Sequence, residues 1–120
     1  MDSGARGRGA RGEDAAAAWL ASHGYHILER NFRCRAGEID IVAERDGAVA
    51  FVEVKSWRRM GCADLEYAIG GVKKRRIALT ARHFLSGHPQ LAGRPLRFDV
   101  LLLSGGRIEH LENAFGGSVD

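Results

Sequence analysis

Cysteine, long apolar runs and closely spaced His/Cys pairs are all scarce in this chain, and each scarcity removes a class of protein. Two cysteines, Cys34 and Cys62, occur in 120 residues, too few for a disulfide framework. No apolar stretch approaches the ~20 residues of a membrane helix. The N-terminus carries arginines but lacks the continuous apolar segment of a secretory signal. The five histidines, His23, His26, His83, His88 and His110, show no close His/Cys spacing suited to zinc, so they read as structural or surface residues. The expected setting is a reducing cytoplasm. What is present is ordinary for a soluble domain: 45% hydrophobic and 28% charged residues, in a length that allows one core and not two. A single α/β unit is expected. The net charge of +3 and pI near 9.2 favour polyanionic partners weakly.

The most informative stretch is 37–55. Glu38-Ile39-Asp40-Ile41-Val42-Ala43 and Ala48-Val49-Ala50-Phe51-Val52-Glu53-Val54 read as strands, and Asp46-Gly47 between them is a strong two-residue hairpin signal. Counting outward from that loop sets Arg45 against Ala48, Glu44 against Val49, Asp40 against Glu53 and Glu38 against Lys55. Opposed residues have Cβ atoms about 5 Å apart, where like charges destabilise a sheet. With side chains alternating in direction, Glu38, Asp40, Glu53 and Lys55 are expected to converge. A divalent cation would offset the repulsion, and carboxylates suit Mg²⁺ or Mn²⁺. The plainer reading, a solvated hairpin face with a Glu38–Lys55 pair, leaves Asp40 against Glu53 unexplained.

Asp40 followed by Glu53-Val54-Lys55 resembles the signature of the restriction-endonuclease-like, or PD-(D/E)XK, nuclease superfamily. The longer series Gly12-Glu13, Asn31-Phe32-Arg33, Gly37-Glu38-Ile39-Asp40, Phe51-Val52-Glu53-Val54-Lys55, Lys73 and Arg97-Phe98-Asp99-Val100 resembles the YraN-type family of uncharacterised bacterial endonuclease-like proteins. The family commonly has Thr and Arg after the lysine; here they are Ser56 and Trp57, which passes any phosphate contact of that Arg to Arg58 or Arg59. The resemblance implies a mixed sheet flanked by helices in the order α-β-β-β-α-β-β, and Mg²⁺-dependent (or Mn²⁺-dependent) hydrolysis of DNA, with branched or flap DNA among the candidate substrates. It implies Asp40, Glu53 and Lys55 as catalytic residues, and Asp40, Glu53 and an outer Glu13 as metal ligands. Glu38 and Lys73 would support them. Two readings from other classes stand beside it: a nucleic-acid-binding module without turnover, and a protein-interaction adaptor.

Around this centre, residues 1–12 are Gly/Ala-rich with interspersed arginines and are expected to be a disordered tail. One domain is expected over 13–115, with 116–120 frayed. Residues 13–22 read as helix one, where Glu13 in the first turn is equally well explained by the helix dipole. Residues 25–32 read as the first strand and 33–37 as a turn whose Arg33 and Arg35 could grip phosphates. The basic loop Trp57-Arg58-Arg59 follows the site, and 64–69 suggest a helical turn. Residues 72–85 read as the main helix, with Ile77, Ala81 and Phe84 inward, Lys73 on that same face, and Lys74, Arg75, Arg76 and Arg82 outward as a phosphate-binding or merely solvated surface. Residues 96–103 and 107–111 read as the last strands around a Gly105-Gly106 turn, with Asp99 expected to find Arg97 or a helix partner inside the fold. DNA is the expected partner ahead of RNA, for a monomer or homodimer.

Overall fold

The computed structural model describes residues 4–56 and 71–114, with side chains from 12 to 56 and from 74 to 114. Helix α1 (Gly4–Ser22) leads to strands β1 (His26–Cys34), β2 (Gly37–Arg45) and β3 (Ala48–Ser56). Helix α2 (Gly71–Ser86), a 3-10 turn (Pro89–Leu91), and strands β4 (Leu96–Ser104) and β5 (Arg107–Leu111) follow. The five strands form one sheet in sequence order. The β3–β4 pair is parallel and the other three are antiparallel. This is the expected α-β-β-β-α-β-β order in a mixed sheet.

The sheet is covered on both faces, which is why its central strands are apolar on both sides. One face packs Ile39, Val42, Phe51, Phe98 and Val100 against Ile77, Ala81 and Phe84 of α2, the inner stripe expected of that helix. The other packs Ile41, Ala43, Ala50, Val52 and Leu101 against Ala16 and Leu20 of α1.

Three boundaries differ from the sequence expectation. Helix α1 begins at Gly4, inside the stretch expected to be a disordered tail, and Glu13 therefore lies well inside the helix and not in its first turn, which removes the dipole explanation for it. Strand β1 runs on through Arg33 and Cys34, because Arg33 pairs with Glu38 and Cys34 with Gly37. The turn is thereby shortened to Arg35-Ala36. Gly37 makes this tight return feasible: its φ is 153°, and a Cβ there would lie 3.2 Å from Thr80 Oγ1 and 3.8 Å from Arg76 Cβ, so only glycine lets the hairpin close under α2.

Candidate active site

The hairpin at Asp46-Gly47 follows the register counted from the sequence for five pairs, from Arg45–Ala48 to Ile41–Val52. Both loop residues have positive φ, 53° and 83°, as a two-residue primed turn requires. Beyond Ile41–Val52 the ladder stops. Asp40 and Glu38 are thus not ladder partners of Glu53 and Lys55, and the simple outward count fails there. The reason is local: Asp40 Oδ2 accepts the Val54 N–H at 2.8 Å, so a side chain replaces the backbone partner, while Glu53, Val54 and Lys55 pair in parallel with Val100, Leu101 and Leu102 of β4.

Side-chain alternation also breaks at this point. Ile41 and Ala43 pack with the α1 cluster and Val42 with the α2 cluster, yet Ile39, two residues before Ile41, packs with α2. On the neighbouring strand Asn31, between the pairs Arg30–Ile41 and Phe32–Ile39, has a left-handed φ of 55°. Asn tolerates that conformation better than most residues, which is the signal in the sequence that could have located the irregularity.

The parted strands leave Asp40 half-buried among other carboxylates. Its pKa is raised from 3.8 to about 7, first by burial and then by the charge of Glu53, with Glu13 and Glu38 adding to it and the Val54 N–H opposing it. Glu53, Glu13 and Glu38 are thus all within electrostatic reach of Asp40, and they arrive from α1, β2 and β3 and not from a flat hairpin face. Each of the other three carries a cation of its own. Lys55 Nζ lies 3.5 Å from Glu53 Oε2, Arg33 Nε 3.3 Å from Glu38 Oε1, and Arg30 4.0 Å from Glu13 Oε1. In place of the Glu38–Lys55 pair of the plainer reading, Glu38 pairs with Arg33, which sits directly opposite it on β1, and Lys55 lies by Glu53.

Glu53, with a side chain only 12% exposed, lines a small hollow with Ile39, Phe51, Val52 and Ile77. The apolar lining keeps water from one side of the Glu53 carboxylate. Helix α1 crosses the end of β3 at Gly12, where a Cβ would stand 3.4 Å from Ser56 Oγ; the close approach brings Glu13 over the site.

The donor set has the chemistry that Mg²⁺ or Mn²⁺ favours, namely hard carboxylate oxygens. Asp40 presents Oδ1, which has no hydrogen-bond partner among the described residues, while Oδ2 is anchored to Val54. Among the described residues no group of three or more His, Cys, Asp or Glu side chains is already gathered at ligating distances. Residues placed in this way would suit an ion held by one or two carboxylates, with water completing its shell.

Arg35 lies in the β1–β2 turn and Lys74, Arg75 and Arg76 are exposed on α2. The approach of α2 to Gly37, where an added Cβ would lie 3.8 Å from Arg76 Cβ, brings that helix side near the strand that carries Glu38, a neighbourhood that sequence reasoning did not foresee. Arg58, Arg59 and the 64–69 turn lie outside the described residues, as does the side chain of Lys73.

A second polar centre lies on the α1 face. Asp99 is fully buried and accepts from Arg97 at 2.9 Å, from the Asn113 N–H at 2.8 Å and pairs with His110 Nε2 at 2.7 Å. Burial raises its pKa, but the hydrogen bonds from His110, Arg97 and Asn113 and the Arg97 charge outweigh it and hold the carboxyl below its ordinary range. Arg97 also reaches Tyr25 Oη at 2.5 Å. The expected Arg97 partner for Asp99 is present, and His110 and Tyr25 join it.

No helix among the described residues is long and apolar enough to cross a membrane. The family described as "Uncharacterised protein family UPF0102" matches residues 12–103. Similar curated proteins include a UPF0102 protein of Treponema pallidum (strain Nichols), 47% identical over 79% of this chain and 75% of its own. Another, from Persephonella marina, is 43% identical over 90% and 92%, and one from Nitrosomonas europaea is 43% identical over 97% and 99%. On a match that spans most of the sequence and relatives aligned nearly end to end, the chain belongs to the uncharacterised UPF0102 family, the YraN-type family that its motifs resemble.

Proposed function

We propose that this protein is a metal-dependent nuclease of the cytoplasm that hydrolyses phosphodiester bonds in DNA, with branched or flap DNA as the first substrates to try. The observation that carries the reading is Asp40, a carboxyl raised to about 7 mainly by burial and by Glu53, next to a Glu53 that Lys55 approaches to 3.5 Å. A fold keeps such mutually repelling acids at a cost in stability, and perturbed carboxyls of this kind concentrate at functional sites.

In this reading Asp40 and Glu53 hold a divalent ion, Glu13 stands as an outer ligand, and the Val54 N–H fixes the orientation of Asp40. A bound ion supplies polarisation of a phosphate oxygen and a more acidic water. Lys55 orients the attacking water or neutralises charge that develops on the phosphate. Glu38 and Lys73 support the site, and Arg33, Arg35, Arg58, Arg59, Lys74, Arg75 and Arg76 hold the strand by its phosphates. The test is a panel of labelled nicked, flapped, four-way and single-stranded substrates with Mg²⁺ or Mn²⁺. Wild type should cut at least one; Glu53→Ala should lose both metal binding and cutting, while Lys55→Ala should lose cutting and keep metal binding in a calorimetric titration. A wild type that cuts nothing, or a Lys55→Ala variant as active as wild type, refutes the catalytic assignment. The exposed basic side of α2 favours a second reading, a nucleic-acid-binding module without turnover, in which salt-sensitive affinity survives loss of every carboxylate.

A further inference from the structure

Among the described residues the sheet ends in two edges, β1 and β5, and the two are finished differently. Strand β1 has a register shift between Ile27 and Glu29, a left-handed Asn31, and Arg30 drawn off to Asp14 at 2.7 Å. Bulges and charges of this sort keep an edge from accepting another strand. Strand β5 has no bulge or register shift, and its exposed charges, Arg107 and Glu109, are of opposite sign, so a second copy can match them. Its five residues pair regularly with β4, and no strand covers its outer side among the described residues.

The side chains of β5 form a self-complementary pattern. Arg107 lies opposite Ser104 and Glu109 opposite Leu102, so the two-residue period puts both on one face of the sheet. Both are exposed. Neither makes an ion pair among the described residues. Ile108, on the other face opposite Leu103, packs at the margin of the α1 cluster. Beside it Ala15, Leu103 and the Gly105-Gly106 turn line an open groove.

We propose that β5 is a homodimer edge: two copies pair antiparallel about a two-fold axis through Ile108, joining two sheets into one. In that register Arg107 of each copy faces Glu109 of the other, twice over, and the two Ile108 side chains meet beside the groove. Centring the pair on Glu109 instead would set that carboxylate against its own copy, a like-charge contact that destabilises a sheet. Charge thus selects the register as well as the partner. A strand of this length buries less than the ~1,600 Å² of a standard interface, so the dimer is weak, with Kd on the order of 10–100 μM.

Sedimentation equilibrium on the full chain from about 5 to about 500 μM tests this against the expected Kd range. Wild type should pass from monomer to dimer. R107E and E109R alone should each raise Kd at least about tenfold, since each turns two attractive contacts into repulsive ones. An equimolar mixture of the two variants, and the double variant R107E/E109R, should both recover association. The substituted side chains are exposed, and circular dichroism will show that each variant keeps the fold. A wild type that stays monomeric throughout, dimerisation indifferent to the single exchanges, or a mixture and double variant that stay monomeric overturns the proposal. Pairing of β5 with an extended peptide from a different protein corresponds to the first of these outcomes.

Discussion

Asp40→Asn should make the metal-free protein more stable at neutral pH, and the gain should vanish in acid. In the fold the carboxyl pKa is raised from its ordinary 3.8 to about 7, through burial and then Glu53. A raised carboxyl pKa means that the fold favours the protonated form. The stabilisation from that proton is complete below pH ~4 and is lost as pH rises through about 7. A rise from 3.8 to about 7 corresponds to about 4 kcal/mol at most, and partial solvent access to the site reduces this to about 2–4 kcal/mol. Asparagine removes the charge while its amide oxygen can still accept the Val54 N–H that Asp40 now accepts. Thermal melts of wild type and variant from pH 4 to 8 should therefore coincide near pH 4 and separate to a plateau above pH 7. At ~4 °C per kcal/mol for a domain of this size, the plateau is roughly 8 °C or more in favour of the variant. Millimolar Mg²⁺ or Mn²⁺ should raise the melting temperature of wild type by mass action and leave the variant nearly unmoved. A variant less stable than wild type at pH 8, or a gap independent of pH, refutes the reasoning and makes Asp40 a structural hydrogen-bonding residue.

Asp99→Ala should cost about 3–5 kcal/mol in urea unfolding, because it strips a buried charge from Arg97 and His110 and leaves the Asn113 N–H without its acceptor; a loss below about 1 kcal/mol would show the network to be dispensable. The depressed pKa of Asp99 has the opposite sign to that of Asp40: its stabilisation is present above the ordinary carboxylate range and fades as pH falls through the lower, folded value. Gly37→Ala should destabilise by about 1–3 kcal/mol, through the positive φ and the 3.2 Å approach to Thr80 Oγ1, and an unchanged chemical melt would mean that the hairpin can move away from α2. Neutralising Lys74, Arg75 and Arg76 together should reduce the slope of log affinity for duplex DNA against log salt by up to ~2.7, or ~0.9 per phosphate contact. An unchanged slope would place the contact elsewhere.

Local chemistry determined much of this molecule. Asp46-Gly47 takes positive φ at both positions and so dictates the β2–β3 register for the pairs nearest the turn, since no long-range contact is needed to choose a primed turn. The stripe Ile77, Ala81 and Phe84 faces inward as its helical spacing demands. Other features depended on residues far apart in the chain. The strands part at Asp40 because its carboxylate takes the N–H of Val54 and because β3 has a second partner in β4, and neither is visible in a count along a hairpin. Glu13 reaches the site only because α1 crosses β3 at Gly12, and Arg97 alone could be named for Asp99 because His110 and Tyr25 are brought there by β5 and by the start of β1. Periodicity and turn chemistry act over a few residues and can be read in order; the electrostatic field at a half-buried carboxyl sums over whatever the fold brings near it, and only the tertiary structure decided that.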